Sequence, residues 1–109
     1  MRQISELLRK ELDRFLTREM EFPSGCLVTI EEVTTSRDLS YTTVSVSVLP
    51  SEQRQKVVAL LNAHTPEMHR LISARIQFRK MPRVRFIEDT REETAERIHR
   101  LLDGKPPDG

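Results

Sequence analysis

Tyr41-Thr42-Thr43-Val44-Ser45-Val46-Ser47-Val48-Leu49 decides the fold class. In an extended chain Val44, Val46 and Val48 fall on one side and Thr43, Ser45 and Ser47 on the other. Such a strand suits a sheet with one apolar face covered and one face left polar. Toward the N-terminus, Ser36-Arg37-Asp38-Leu39 is a turn of short polar residues. Before it, Cys26 to Thr35 is a second strand, rich in β-branched residues. Its alternation at Val28 and Ile30 breaks at Glu31-Glu32-Val33, which predicts a bulge. The two strands are expected to pair as a hairpin. Ahead of them, Ile4, Leu7, Leu8, Leu12, Phe15 and Leu16 recur at helical spacing, and Phe22-Pro23-Ser24-Gly25 closes that helix.

On the other side of the central strand, Pro50-Ser51 opens a helix with Ser51 as its expected cap. Val57, Val58, Leu60 and Leu61 supply its buried side. Ala63-His64-Thr65-Pro66 then interrupts it. Proline breaks a helix interior but suits the start of a new helix, here expected to be capped by Thr65. The second helix turns Met68, Leu71, Ile72 and Ile76 inward and is expected to run to Lys80-Met81-Pro82. Arg83 to Ile87 is a third strand. Thr90-Arg91-Glu92-Glu93 has the capping-box pattern and opens a last helix with Ala95, Ile98, Leu101 and Leu102 as its stripe. Gly104 follows as its expected C-cap.

The order is α-β-β-α-kink-α-β-α, an α+β domain. The helical crossover into the third strand favours parallel pairing with an earlier one. Burying every apolar stripe requires the helices to share one face of a three-stranded sheet. One domain is expected over residues 1–103, with a short loose tail over 104–109. This is the element order of a type II KH domain. A KH domain that clamps single-stranded RNA uses a Gly-x-x-Gly loop between its helices, and here the kink stands in that place without a glycine.

Of the 109 residues 37% are hydrophobic and 32% charged, a globular balance rather than a disordered one. No window holds the roughly 18 apolar residues of a membrane span. The first ten residues lack the apolar core of a secretory signal. Cys26 is the lone cysteine, which excludes an internal disulfide and fits a reducing, cytoplasmic setting.

Catalytic and metal chemistry finds little support. Three glycines cannot build a phosphate-cradling loop. One cysteine with His64, His69 and His99 lacks zinc-ligand spacing. His69 and His99 read as helix-surface residues. Turn chemistry accounts for Ser36 and Asp38 without a triad, and Cys26 reads as a small core residue rather than a nucleophile. Neither a cofactor, a metal nor a small-molecule substrate is expected, and a hydrolase would need a pocket of convergent polar groups.

Charge is unevenly placed. Net charge is +1, yet Met68 to Ile87 holds six of the 18 Lys/Arg and none of the 17 acids, which leaves the remainder at −5. Two explanations stay open on charge alone. One is a polyanion footprint. The other is a solvated helix face beside an edge strand defended by arginines. Aromatics are scarce, Tyr41 and four Phe, which argues against base stacking on a sheet. Backbone and shape recognition by Arg and Lys is the mode that remains.

Three segments carry a family resemblance: Thr35-Ser36-Arg37-Asp38-Leu39-Ser40-Tyr41 followed by the valine strand, Pro82-Arg83-Val84-Arg85-Phe86-Ile87-Glu88-Asp89-Thr90, and Ala95-Glu96-Arg97-Ile98-His99-Arg100-Leu101-Leu102. In this order and spacing the chain resembles bacterial ribosome-binding factor A over nearly its whole length. The resemblance implies a KH-like fold with a kink in place of the glycine loop. It also implies a non-enzymatic factor that binds the immature 30S subunit and its 16S rRNA, aids late maturation and supports growth in the cold. Family members carry Ala-x-Gly at the kink, where this sequence has His64-Thr65-Pro66. The expected phosphate contacts are Arg70, Arg75, Arg79, Lys80, Arg83 and Arg85, with Arg37 in the hairpin turn. The protein is expected to be monomeric and to have no membrane partner. The competing expectation is a KH-like protein-interaction adaptor that does not touch RNA.

Overall fold

The computed structural model describes residues 2–77 and 80–89. Helix α1 spans Arg2–Arg18, strands β1 and β2 span Leu27–Thr35 and Tyr41–Leu49, helices α2 and α3 span Arg54–Ala63 and Thr65–Arg75, and β3 spans Arg83–Glu88. The expected last helix from Thr90, with Ala95, Ile98, Leu101 and Leu102, lies outside the described residues, as does the tail over 104–109.

The sheet order is β1-β2-β3. β1 and β2 pair antiparallel, with a register shift between Ile30 and Glu32, which is the expected bulge. β3 runs parallel to β2, Tyr41 opposite Arg83 and Val44 opposite Phe86, as the helical crossover requires. The inner face carries Ile30, Thr42, Val44, Val46, Val48 and Phe86. It packs against Leu8, Leu12 and Phe15 of α1, Val57 and Leu61 of α2, and Met68 and Ile72 of α3, all buried. Each such apolar side chain contributes about 1.5–3 kcal/mol by leaving water. The arrangement is consistent with the KH-like layout read from the sequence.

Three polar devices set these elements in place. Arg9 of α1 donates to the Ile30 carbonyl at 2.7 Å and to that of Glu31 at 3.4 Å. Those carbonyls sit at the bulge, where the ladder is interrupted. On the opposite edge, Asn62 of α2 accepts from the Phe86 N–H at 2.9 Å and donates to the Phe86 carbonyl at 3.0 Å. One side-chain amide thus completes the pairing of an edge strand and blunts it. Beneath α1, Ser5 donates to Thr35 at 3.0 Å, and Thr35 is bonded at 3.0 Å to fully buried Thr42.

Several expected boundaries shift. Ser51 is not a side-chain cap: a 3-10 turn, Ser51–Gln53, precedes α2 and no cap bond is made. The kink centres on His64 (φ −96°, ψ 3°), which ends α2 and caps α3. Thr65 is the first residue of α3 instead of its cap, and its hydroxyl donates back to the Asn62 carbonyl at 3.0 Å. The His64 Nδ1–H donates to the Leu60 carbonyl at 2.9 Å. Both bonds satisfy carbonyls that the last turn of α2 leaves without helical partners. Helix α3 stops at Arg75, well before Lys80, because Ile76 turns extended (φ −130°, ψ 129°). Helix α1 likewise ends at Arg18, ahead of Phe22-Pro23. Gly25 (φ 81°) allows the reversal into β1.

Candidate nucleic-acid interface

The hairpin turn is built from its own hydroxyls. The Ser36 Oγ accepts from the backbone N–H of Ser40 and of Tyr41, each at 3.1 Å, and donates to Asp38 at 2.8 Å. Asp38 also accepts the Ser40 N–H at 3.1 Å. Hydrogen bonds from Ser40 and Ser36 hold its carboxyl down at about 2, with a smaller contribution from the charge of Lys80. Leu39 takes a left-handed φ of 61°, a strained backbone for a branched side chain. The turn is fastened to the next strand, since the Arg83 N–H donates to the Ser40 carbonyl at 2.9 Å.

Beside this turn lies a shallow groove. Ser40, Tyr41, His69, Lys80, Met81 and Arg83 line one concavity. Thr65, Pro66, His69, Arg83 and Val84 line another, sharing His69 and Arg83 with the first. The groove therefore reaches from the hairpin turn along the start of β3 to the kink. Pro82 is fully buried, which anchors the connection that carries Lys80 and Met81.

The expected cations divide. Lys80 and Arg83 stand exposed in the groove, and Arg37 is exposed in the adjoining turn. Arg70 is exposed on α3. Arg85 is exposed on the outer face of β3, opposite Thr43. No ion pair engages these five among the described residues. Arg75 differs: its Nε donates to Glu11 at 2.9 Å and its Nη2 at 3.5 Å. Glu11 is 7% exposed, so this guanidinium answers a buried charge. Arg79 lies outside the described residues. Of the kink residues, Thr65 and Pro66 line the groove, and His64 is turned to the Leu60 carbonyl.

Two groove residues escape sequence reasoning. His69 reads as a plain surface residue because its neighbours Lys80 and Arg83 belong to other elements. Tyr41 carries a signal: its parity with Thr43 and Ser45 puts it on the polar side of β2, and it is 56% exposed. A hollow between α1 and α3 is lined by Phe15, Leu71, Ile72, Glu11 and Arg75. Its carboxylate and guanidinium are bonded to each other. Among the described residues there is no group of three metal-ligating side chains and no helix long and apolar enough to cross a membrane.

The family model for ribosome-binding factor A matches residues 1–102. Ribosome-binding factor A of Chlorobaculum tepidum is 40% identical over 108 residues, covering 96% of this chain and 89% of that protein. The crystal structure of ribosome-binding factor A from Thermus thermophilus matches with a TM-score of 0.69 at 21% identity, over 79% of this chain and 91% of that one. A homology model of the Thermus thermophilus factor, fitted into a cryo-EM map of its complex with the 30S subunit, matches with a TM-score of 0.59 at 24% identity, over 81% of this chain and 89% of that one.

Proposed function

The chain belongs to the ribosome-binding factor A family, and from that premise we propose that it is a cytoplasmic, non-enzymatic assembly factor that binds the immature 30S subunit through 16S rRNA. In this reading it promotes late small-subunit maturation and rRNA processing, and supports growth in the cold. The observation that carries the RNA contact is the groove, which gathers Lys80 and Arg83, next to Arg37, with no lining acid among the described residues. Cations that form no ion pair among the described residues, on a concave surface, are suited to phosphate. Arg70 on α3 and Arg85 on the outer face of β3 are further exposed cations for such a contact. Arg75 is the weakest candidate of the set, because its guanidinium is committed to Glu11.

Charge reversal at Lys80 and Arg83 tests this reading by co-sedimentation with 30S subunits over a salt series. For every phosphate that a variant no longer neutralises, the logarithmic salt slope should flatten by about 0.7–0.9. Unchanged affinity and slope in the double variant refute the groove as the RNA contact.

One observation favours the adaptor reading. Leu27, Tyr41, Leu49 and Ile87 are large exposed residues on the outer sheet face, and exposed apolar surface of this kind marks interaction sites. An adaptor would leave small subunits unaccompanied in a gradient and would form complexes that RNase does not alter.

A further inference from the structure

Tyr41 contributes little to the fold where it stands. It lies on the hydroxyl side of β2, 56% exposed, and its phenol has no hydrogen-bond partner among the described residues. Its cross-strand partner is Arg83. The bond from the Arg83 N–H to the Ser40 carbonyl, 2.9 Å, fixes the spacing of the two backbones. His69 reaches the same concavity from α3, and Lys80 from the connection before β3. The acid that faces Lys80 is Asp38, and its carboxylate is already held by Ser40 and Ser36.

A phosphate alone requires only the two cations. The rings call for a flat partner. Base-paired RNA keeps its base faces covered and its major groove too narrow for side chains. An unpaired nucleotide offers a free base face together with its phosphate. Phenol, imidazole and guanidinium planes all stack on such a face. Resting on the rRNA reading above, we infer that this concavity holds one unpaired nucleotide, its base against Tyr41 and its phosphate on Lys80 and Arg83. This is a single-base pocket at a strand end, distinct from the multi-base platform that the scarcity of aromatics argues against.

Tyr41 is the only tyrosine and there is no tryptophan, so the protein's intrinsic emission reports on this ring. The full chain is titrated with single-stranded decauridine and, separately, with a blunt RNA duplex. The single strand should quench the emission and the duplex should leave it unchanged. Tyr41→Ala should weaken single-strand binding about 10-fold with its salt slope unchanged, while Tyr41→Phe retains wild-type affinity. Single-strand binding without quenching, or equal quenching by the duplex, overturns the pocket and leaves the RNA reading standing. If neither RNA binds and 30S subunits do not co-sediment with the protein, the RNA reading falls, and the pocket with it. The wild-type quenching reads out even if the alanine variant folds poorly.

Discussion

Arg75 and Arg83 come from the same acid-free stretch and meet opposite surroundings. Arg75 ends α3 against α1, where its guanidinium bonds Glu11, a carboxylate 7% exposed. Arg83 begins β3 beside an open groove, tied down by its backbone, and its side chain forms no ion pair among the described residues. The first cation offsets the desolvation of a buried acid. The second is available to a ligand. Equal charge density along the chain thus conceals unequal availability, because availability is set by partners far away in sequence. Glu11 lies 64 positions from Arg75.

The sharpest way to break this comparison is to remove each cation in turn and measure stability. Arg75→Ala leaves Glu11 buried without its partner, and such losses cost several kcal/mol when both groups are enclosed. Arg75 is 46% exposed in its side chain, so water relieves part of the loss and about 2 kcal/mol is expected. Arg83→Ala should stay within about 0.5 kcal/mol of wild type, as surface substitutions do. Urea unfolding of both variants checks this. A Glu11→Leu, Arg75→Leu double variant should recover much of the loss, since an apolar pair needs no charge compensation. Equal destabilisation by Arg75→Ala and Arg83→Ala would erase the distinction.

A second variant probes the groove end. β3 carries Arg83 and Arg85 on an edge that Asn62 closes through both polar groups of Phe86. Asn62→Ala removes two hydrogen bonds that water partly replaces, and about 1 kcal/mol of stability should go with them. Amide exchange at Phe86 should accelerate while that of β1 and β2 is preserved. If exchange at Phe86 does not change, the edge is held by packing alone.

The elements that local pattern governs were legible. The Val44-Val46-Val48 alternation, the phase break at Glu31-Glu32 and the proline at position 66 each determine their surroundings within a few residues, and the strand, bulge and kink followed from them. What escaped were features set by distant partners. Thr65 suits a cap by residue type, yet His64 adopts the bridging backbone and leaves the threonine hydroxyl to the Asn62 carbonyl. No proline or glycine stands between Arg75 and Lys80 to break a helix, yet Ile76 turns extended and ends α3. The candidate site was half legible. The charge run marked Lys80 and Arg83, while Tyr41 and His69 joined them only once a turn, a helix and a strand met.

The smallest effect concerns the turn that borders the groove, where a charge near Lys80 is consumed locally. Asp38 has its carboxyl lowered from 3.8 to about 2 by hydrogen bonds from Ser40 and Ser36. A group depressed in the folded state stabilises it above the unfolded value and loses that contribution as pH falls through the folded one. The turn should therefore keep its full contribution down to about pH 4 and give it up between about pH 4 and 2. An NMR titration of the Asp38 carboxyl should reveal that low midpoint. Ser36→Ala, which removes one donor to Asp38 and the acceptor for the Ser40 and Tyr41 N–H groups, should raise it toward the ordinary carboxylate value. A wild-type midpoint near 3.8 would mean that the turn does not engage the carboxylate. Lys80 would not be engaging it either, since a nearby ammonium also lowers a carboxyl, and the Lys80 charge would be left wholly to the groove.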